Sequence, residues 1–321
     1  MTISIQPASA ADLEAVAALI TQLRPDRAIS ADELGSMDRD QRQLAYHHAR
    51  WVLRGPREQL LGFGQYMQSP GQYHPRKFVM DLLLHPDARG RGLGRQLYDT
   101  VLEGLRAHNP LSVRGAVRED DPSALQFFEQ RGFREHKRYW TSWLDLTRFD
   151  AAPYARLQAQ VAEQGVELLS VADLQAQDPS GWKVQLHRLF SEVRLDVPRS
   201  DPATPIRLEQ YDEWVLQDPG FLPDGYLLAR HGDQLIGSSD VYRSAASPDL
   251  FIGLTGVRRA WRGRGVATAL KLAGIRYAQA AGAERLWTDN ESGNAPILRI
   301  NEQLGFVREP ALINLLKVWP D

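Results

Sequence analysis

The sequence predicts a mixed α/β (α+β) protein built from two consecutive copies of one unit. The chain has 321 residues, a length typical of two domains. A glycine- and arginine-rich segment at residues 89–94 (RGRGLG) recurs at residues 262–267 (RGRGVA), an offset of 262 − 89 = 173 residues. Gly132-Phe133 recurs as Gly305-Phe306 at the same offset. Two landmarks with one offset indicate that both copies keep the same internal register.

The first copy, residues 1–150, alternates strand-like and helix-like patterns. Leu97, Val101 and Leu105 recur every fourth residue, which is a helical period. A helix is also expected after Ser9. We expect strands at residues 3–5, 59–67, 78–84, 111–117 and 139–146, and helices at residues 11–20, 94–105 and 123–130.

The second copy, residues 151–321, repeats this order of elements. Tyr154, Leu157 and Val161 have helical spacing, so a helix over residues 151–164 is expected to connect the copies. Three prolines between residues 196 and 206 predict an extended loop. We expect strands at residues 226–230, 235–241, 250–257, 285–289 and 311–318, and helices at residues 266–280 and 295–303.

Composition excludes several functional classes. The formal net charge is −2, so the chain has no basic surplus for nucleic acid. It has no cysteine, which excludes disulfides, thiolate metal sites and a cysteine nucleophile. No signal peptide and no membrane span are predicted, so we expect a cytoplasmic protein without a membrane partner. His47 and His48 have no further ligand at suitable spacing, and no metal is expected.

The repeated segment has the composition of a phosphate-binding turn. An apolar strand precedes it in each copy and a helix follows. The first N–H groups of a helix lack internal partners and attract anions, and glycines let a phosphate approach the backbone. A single such turn could merely begin a helix, but two in the same register favour a phosphate site. Neither turn has the Gly-Lys-Ser/Thr of a nucleoside-triphosphate loop.

Both turns resemble the acetyl-CoA-binding motif of the GNAT superfamily of N-acetyltransferases. The matching segments are residues 84–94 (LHPDARGRGLG) and 257–267 (VRRAWRGRGVA). Downstream, residues 124–133 (ALQFFEQRGF) and 294–306 (NAPILRINEQLGF) resemble the next helix of that family. The resemblance implies two consecutive GNAT folds, each with a mixed, mostly antiparallel, splayed central sheet flanked by helices. It also implies acetyl-CoA or another acyl-CoA as cosubstrate.

The resemblance assigns the cosubstrate to residues of the two turns and the following elements. In the second copy Asn301 is expected to bond the CoA arm, or to be a surface asparagine. Asn294 could instead cap the helix that follows it. The expected cosubstrate-binding residues are Leu84, His85, Arg89, Gly90, Arg91, Gly92, Leu93, Gly94, Arg95, Val257, Arg258, Arg262, Gly263, Arg264, Gly265, Val266, Ala267, Thr268, Asn290, Asn294 and Asn301.

The resemblance also implies direct attack of an amine on the thioester, with strand N–H groups stabilising the oxyanion. Many family members protonate the thiolate from a tyrosine four residues before the Gly-Phe glycine. Here those positions hold Phe128 and Asn301, neither of which is an acid.

Four residues are candidates for the base that takes the proton of the amine. Asp81 lies in an apolar run that would raise the pKa of its carboxyl, or else faces solvent. Asp240, Glu192 and Tyr242 are further candidates, each also explained as a surface or cleft-wall residue.

The second copy is expected to be the catalytic one. It has polar residues at Thr288, Asn290, Asn294 and Asn301, whereas the first has acids at Glu119, Asp120 and Asp121 that would repel a nearby phosphate. The expected acceptor is the primary amine of a small molecule or a peptide, and oligomerisation is left open. The alternatives are a non-catalytic acyl-CoA-binding protein or sensor, and a scaffold with degenerate domains.

Overall fold

A computed structural model describes residues 3–319. The strands are β1 Ser4–Pro7, β2 His48–Arg54, β3 Leu60–Met67, β4 Lys77–Leu84, β5 Ser112–Arg118, β6 Arg134–Asp145, β7 Val166–Ser170, β8 Phe221–His231, β9 Gln234–Arg243, β10 Leu250–Val257, β11 Arg285–Glu291, β12 Val307–Arg308 and β13 Leu312–Val318. The α-helices are α1 Leu13–Leu23, α2 Ala31–Gln43, α3 Leu93–Arg106, α4 Pro122–Glu129, α5 Ala155–Glu163, α6 Val171–Gln177, α7 Trp182–Val193, α8 Leu208–Tyr211, α9 Val266–Ala280 and α10 Ala295–Gln303.

The chain forms two compact units, and neither is one continuous stretch of sequence. Unit 1 comprises Met1–Tyr139, Ser200–Thr204 and Pro310–Asp321. Unit 2 comprises Trp140–Arg199 and Pro205–Glu309. Each unit therefore contains residues from both copies of the sequence repeat. A division into sequence domains at residue 150 stays a prediction.

The sheet of unit 1 has the strand order β1-β2-β3-β4-β5-β13-β6. Only the β4–β5 pair is parallel among the pairs described in this unit. The buried face of α3 carries Leu97, Val101 and Leu105, which have no solvent exposure, so the fourfold apolar spacing of the sequence is confirmed. Val101 and Leu105 pack with Phe78 and Val113 of the parallel strands.

The sheet of unit 2 has the order β6-β11-β10-β9-β8-β7, with β12 also paired to β6. Successive residues of β8 belong to two different apolar cores, one on each face of the sheet, because successive side chains of a strand point to opposite faces. Tyr226 and Leu228 pack with residues of α6, α7 and α8. Leu227 and Ala229 pack with residues of α9. Helix α9 therefore covers the face of this sheet opposite to α7 and α8.

The mixed α/β class and the two splayed sheets agree with the expectation from the sequence. Helices α9 and α10 have the expected bounds, and α5 is the expected connecting helix. Residues 197–207 form neither helix nor strand, as the prolines predict. Helices α2, α6, α7 and α8 and strands β2 and β7 were not anticipated.

One strand lies in a different place from the one expected. Residues 311–318 were expected to complete the second copy, but β13 pairs with β5 and β6 inside unit 1. Seven residue pairs join β13 to β5, from Leu312 with Arg118 to Val318 with Ser112. The buried side chains of Ile313 and Leu315 belong to the apolar core of unit 1.

No helix within residues 3–319 has the length and apolar character needed to cross a membrane. The same residues contain no group of three or more His, Cys, Asp or Glu side chains arranged to hold a metal ion.

Candidate functional site

The two glycine-rich turns have the same backbone conformation. Gly90 and Gly92 have φ values of 71° and 74°, and Gly263 and Gly265 have φ values of 73° and 84°. These left-handed conformations strain any residue with a Cβ atom, which explains why glycine recurs at both positions. Gly92 and Gly265 are the N-cap residues of α3 and α9. The sequence repeat is thus a structural repeat.

Each turn presents unbonded N–H groups at the start of its helix. Within the part of the chain that the structure describes, no hydrogen bond uses the N–H of Leu93, Gly94, Val266 or Ala267. Such groups carry partial positive charge and point away from the helix. A Cβ placed on Gly263 would have no heavy atom within 4 Å, so the backbone there is open to a ligand. Both turns can accept a phosphate.

The strand before each turn leaves its parallel neighbour. In unit 1, β4 pairs with β5 only from Lys77 to Val79. In unit 2, β10 pairs with β11 only from Leu250 to Ile252. The remaining residues of β4 and β10 run to their turns without a described partner on that side, so each sheet opens as a wedge. A narrow ligand arm that follows a phosphate group could enter this wedge.

The wedge of unit 1 has the apolar residues Val117 and Phe128 at the positions 173 residues before Asn290 and Asn301 of the second copy. The ring of Phe128 lies 3.1 Å from the place that a Cβ of Gly115 would take. Phe128 is buried with Met80 and Val117 in the core of unit 1. Among these residues no side chain can bond to the amides of a ligand arm.

The wedge of unit 2 is polar at the matching positions. Asn301 is 3% exposed, and its Nδ2 donates to Asn290 Oδ1 over 2.6 Å. Asn301 Oδ1 is buried and has no hydrogen-bond partner among the described residues. This unbonded acceptor could receive an amide N–H of a ligand. Asn294 makes no side-chain cap hydrogen bond with α10, although it holds the N-cap position.

Acidic side chains already neutralise part of the charge of the unit 2 turn. Arg258 forms an ion pair with Glu192 over 3.2 Å. Asp196 pairs with Arg259 and with Arg262. The hydrogen bond from Arg259, with that from Arg262, lowers the pKa of Asp196 to about 2. Glu192 is therefore the charge partner of an arginine rather than a free base.

Two arginines of the unit 1 turn also have acidic partners. Arg89 pairs with Asp121 over 3.2 Å, and Arg95 with Asp99 over 3.7 Å. Of the other acids expected near the phosphates, Asp120 bonds to Arg118. Glu119 bonds to Arg138, so neither acid faces the turn with an unpaired charge.

Two of the candidate bases are in surroundings that do not favour proton transfer. Asp81 is not isolated among apolar groups, because its Oδ2 accepts from Gln65 Nε2 over 2.7 Å. Gln65 in turn accepts from Arg50 over 2.7 Å, which makes Asp81 part of a polar network. Tyr242 is 41% exposed and stacks on Phe251 with ring centroids 5.5 Å apart.

Asp240 lies at the point where β10 leaves β11. The register of β10 against β9 breaks between Ile252 and Thr255. The N–H of Leu254 donates to the Asp240 carboxylate there, while Asp240 Oδ1 is buried and unbonded. A Cβ on Gly253 would lie 2.5 Å from Asp240 Oδ2, so only glycine leaves room for this carboxylate. Burial raises the pKa of Asp240 to about 6.

Lys271 is a second buried charge in unit 2, and the sequence analysis did not single it out. It is fully buried on α9, and its Nζ has no hydrogen-bond partner among the described residues. Its Nζ lies 5.2 Å from the ring centroid of Phe306. Burial lowers the pKa of Lys271 to about 7, and the charge of Asp240 opposes that shift. The signal was available, because a lysine at this position interrupts the apolar face of a predicted helix.

Comparison with known proteins identifies similar chains. A model of the acetyltransferase (GNAT) family matches residues 17–133 and residues 184–306. A mycothiol acetyltransferase of Nocardioides sp. is 28% identical over 242 residues, which are 71% of this chain and 76% of that protein. A mycothiol acetyltransferase of Thermobispora bispora is 28% identical over 233 residues, covering 71% of this chain and 72% of that protein.

Two solved structures share the fold over nearly the whole chain. A GCN5-related N-acetyltransferase from Sphaerobacter thermophilus has a TM-score of 0.71 at 20% identity, covering 98% of this chain and 95% of that one. A tandem GNAT protein from the clavulanic acid biosynthesis pathway, solved without AcCoA, has a TM-score of 0.71 at 19% identity and covers all of both chains.

Proposed function

Because this chain belongs to the acetyltransferase (GNAT) family and is an N-acetyltransferase, we propose that unit 2 is its catalytic unit. Acetyl-CoA, or another acyl-CoA, binds there as cosubstrate. The acyl group passes directly to the primary amine of a small molecule or a peptide while both substrates are bound. The observation that carries this proposal is the polar wedge of unit 2, with Asn301 unbonded on one oxygen, beside a phosphate-type turn.

The phosphates of the cosubstrate bind the turn at residues 262–267. The open N–H groups at Val266 and Ala267 and the positive φ of Gly263 and Gly265 support this assignment. The pantetheine arm enters the wedge and bonds to Asn301. In unit 1 the turn offers the same phosphate site, but Phe128 gives the wedge no polar group. Unit 1 therefore binds a cosubstrate without catalysis or has a structural role.

Asp240 is the base that takes the proton of the attacking amine. Its carboxylate lies on the sheet face covered by α7 and α8, because Asp240 is paired with Tyr226 of β8 and the Tyr226 side chain belongs to that core. The raised pKa of Asp240, about 6, suits a base that works near neutral pH. The amine acceptor then approaches from the α7 and α8 face, and alignment of both substrates lowers the barrier to attack.

A matched pair of variants tests which unit works. Gly265→Val and Gly92→Val add a side chain to a positive-φ residue at the same position of the two turns, and a Cβ at Gly265 also meets Val161 at 3.2 Å, whereas a Cβ at Gly92 has no heavy atom within 4 Å. We expect Gly265→Val to lower kcat/KM by about 100-fold or more through misplacement of the cosubstrate. Gly92→Val should keep the activity of the unaltered protein.

Activity is measured as CoA release from acetyl-CoA with a panel of primary amines. The panel includes a mycothiol-related amine, because similar proteins are named for mycothiol. Calorimetric titration with acetyl-CoA gives the number of occupied sites in each variant. Full turnover in Gly265→Val, or its loss only in Gly92→Val, would reject unit 2 as the catalytic unit. Binding without turnover of any amine would favour the acyl-CoA sensor, and no binding would favour the scaffold.

A further inference from the structure

The proposed reaction leaves a thiolate that needs a proton. A tyrosine would be a suitable donor, but the chain has Asn301 at the position where the family resemblance expects one. The amide of Asn301 is not an acid, and it already bonds to Asn290. Either another group of unit 2 therefore supplies this proton, or the thiolate takes it from water.

Lys271 lies on the helix that begins at the phosphate-type turn. Its neighbour Phe306 belongs to the core on the α9 face of the sheet, whereas Asp240 acts on tyrosines of the opposite core. The charges of Lys271 and Asp240 nevertheless act on one another. Phe306, whose ring centroid lies 5.2 Å from Lys271 Nζ, donates its backbone N–H to the carbonyl of Asn301 over 3.0 Å, so Lys271 lies beside the residue that is proposed to bind the pantetheine arm.

Packing alone gives no reason for an amine at this position. A fully buried ammonium without a hydrogen-bond partner destabilises the folded state. The equivalent residue of unit 1, at 271 − 173 = 98, is the neutral Tyr98, so the fold accepts an uncharged side chain there. The unbonded Nζ of Lys271 is a donor with three protons and no acceptor in the described structure.

We propose that Lys271 donates a proton to the sulfur of the departing CoA. This inference rests on the proposed function of unit 2. The amine nitrogen bonds to the thioester carbon and gives a proton to Asp240. The C–S bond breaks, and the sulfur takes a proton from the Lys271 ammonium. Release of a proton from Asp240 to water and uptake of a proton from water by Lys271 restore both groups, so the sum of the steps is amine plus thioester giving amide plus thiol.

The surrounding charges favour this direction of proton flow. The opposite charge that acts on Lys271 is that of Asp240 on β9, and the charge of Asp240 also acts on Tyr226 of β8 and Tyr211 of α8. Burial lowers the pKa of the Lys271 ammonium to about 7, so it can release a proton at neutral pH. The departing thiolate is the stronger base and accepts it.

The test compares Lys271→Met, which keeps the volume and removes the acid, with Lys183→Met as the control. Lys183 is a half-exposed lysine of α7 that pairs with Asp212 over 2.7 Å. We expect Lys271→Met to bind acetyl-CoA within about 2-fold of the original affinity but to lose about 100-fold or more in kcat. An aryl thioester, whose thiol is a stronger acid, should recover most of the loss. Lys183→Met should keep the original kcat.

A second measurement needs no acceptor. The ultraviolet absorbance of the thiolate reports the pKa of the thiol of bound CoA, which should be lower in the original protein than in Lys271→Met. Unchanged kcat in Lys271→Met, or equal thiol pKa values in both proteins, overturns the role of Lys271 and leaves the proposed function intact. Failure of the original protein to bind CoA overturns both.

Discussion

Asp240 and Lys271 are each costly to charge inside unit 2, and each lowers that cost for the other. Burial raises the pKa of Asp240 and lowers the pKa of Lys271, while their mutual attraction opposes both shifts. Both groups therefore change their protonation state near neutral pH. Neither residue would have this property at an exposed position, where water stabilises the charged forms.

The pH dependence of kcat should report this pair. The reaction needs Asp240 without its proton, so the rate rises as pH rises through about 6. It needs Lys271 with its proton, so the rate falls as pH rises through about 7. We expect a narrow bell-shaped profile whose two apparent pKa values belong to the coupled pair.

The Asp240→Asn variant separates the two limbs of that profile. It should lose about 100-fold or more in kcat because the base is absent. The residual rate should lack the acidic limb and retain the alkaline one. Glu209→Gln, which removes an exposed acid of α8, is the control and should keep the full profile. An acidic limb that survives in Asp240→Asn would assign the base to another group.

At the scale of single elements, two arginines at the phosphate-type turn of unit 2 already bond to a carboxylate of the same protein. The Asp196 carboxylate bonds to Arg259 and Arg262, and Arg262 is the first residue of the repeated motif. A negative charge at that place repels an incoming phosphate and holds arginines that could otherwise bond to it. We therefore expect Asp196 to weaken the affinity of the turn for a cosubstrate.

The Asp196→Asn variant measures this competition. We expect it to tighten acetyl-CoA binding several-fold at low ionic strength, because two arginines gain freedom to bond the phosphates. The difference from the original protein should shrink as salt is added, since exposed charges are screened over about 10 Å at 0.1 M. Calorimetric titrations at two salt concentrations provide the measurement. Weaker binding in Asp196→Asn would mean that Asp196 positions the arginines instead.

Local sequence patterns predicted the elements that carry the candidate site. The fourfold apolar spacing, the glycine spacing and the 173-residue offset lead to β4, α3, β10 and α9, because the first two signals depend on neighbours in the chain and the third on comparison of its two copies. The wedge came from a family resemblance rather than from spacing. The sequence could not predict that Asp240 and Lys271 interact, because they lie on a strand and a helix that are not adjacent in sequence.

The partners of β13 illustrate the same limit. Residues 311–318 are rich in strand-forming residues, and the sequence predicted a strand there correctly. The pattern of Leu312, Ile313 and Leu315 predicts a strand with apolar faces, but it does not indicate which sheet contains that strand. Strand order is decided by contacts between distant segments, so the sequence copy and the compact unit differ at this element.

At the scale of the whole chain, the two units depend on each other's sequence. Unit 1 receives β13 from the last residues of the chain, and unit 2 receives the segment of β6 that begins at Trp140. Ile313 and Leu315 are buried in unit 1. Burying a side chain of this size contributes about 1.5–3 kcal/mol. A cut at residue 150 would therefore not release an intact first unit.

Truncation after Glu309 tests this dependence. We expect β5 to lose its protection against amide hydrogen exchange, because Ser112–Arg118 lose the strand to which they are paired. Adding a peptide of residues 310–321 should restore protection, since it supplies the missing strand. Strands β8 and β9 of unit 2 are the internal control and should keep their protection. Unchanged exchange of β5 in the truncated chain would contradict the assignment of β13.

The late position of β13 in the sequence also determines when the sheet of unit 1 can be completed during synthesis. A ribosome makes 312 − 145 = 167 further residues between the end of β6 and the start of β13. At ~5–20 residues per second this interval lasts roughly 8–33 s. During that interval the edge of β5 that later pairs with β13 has no strand beside it. Such an unpaired edge can pair with other chains, which favours aggregation. The sheet of unit 1, most of whose strands are synthesised first, is thus completed only by the last strand to be synthesised.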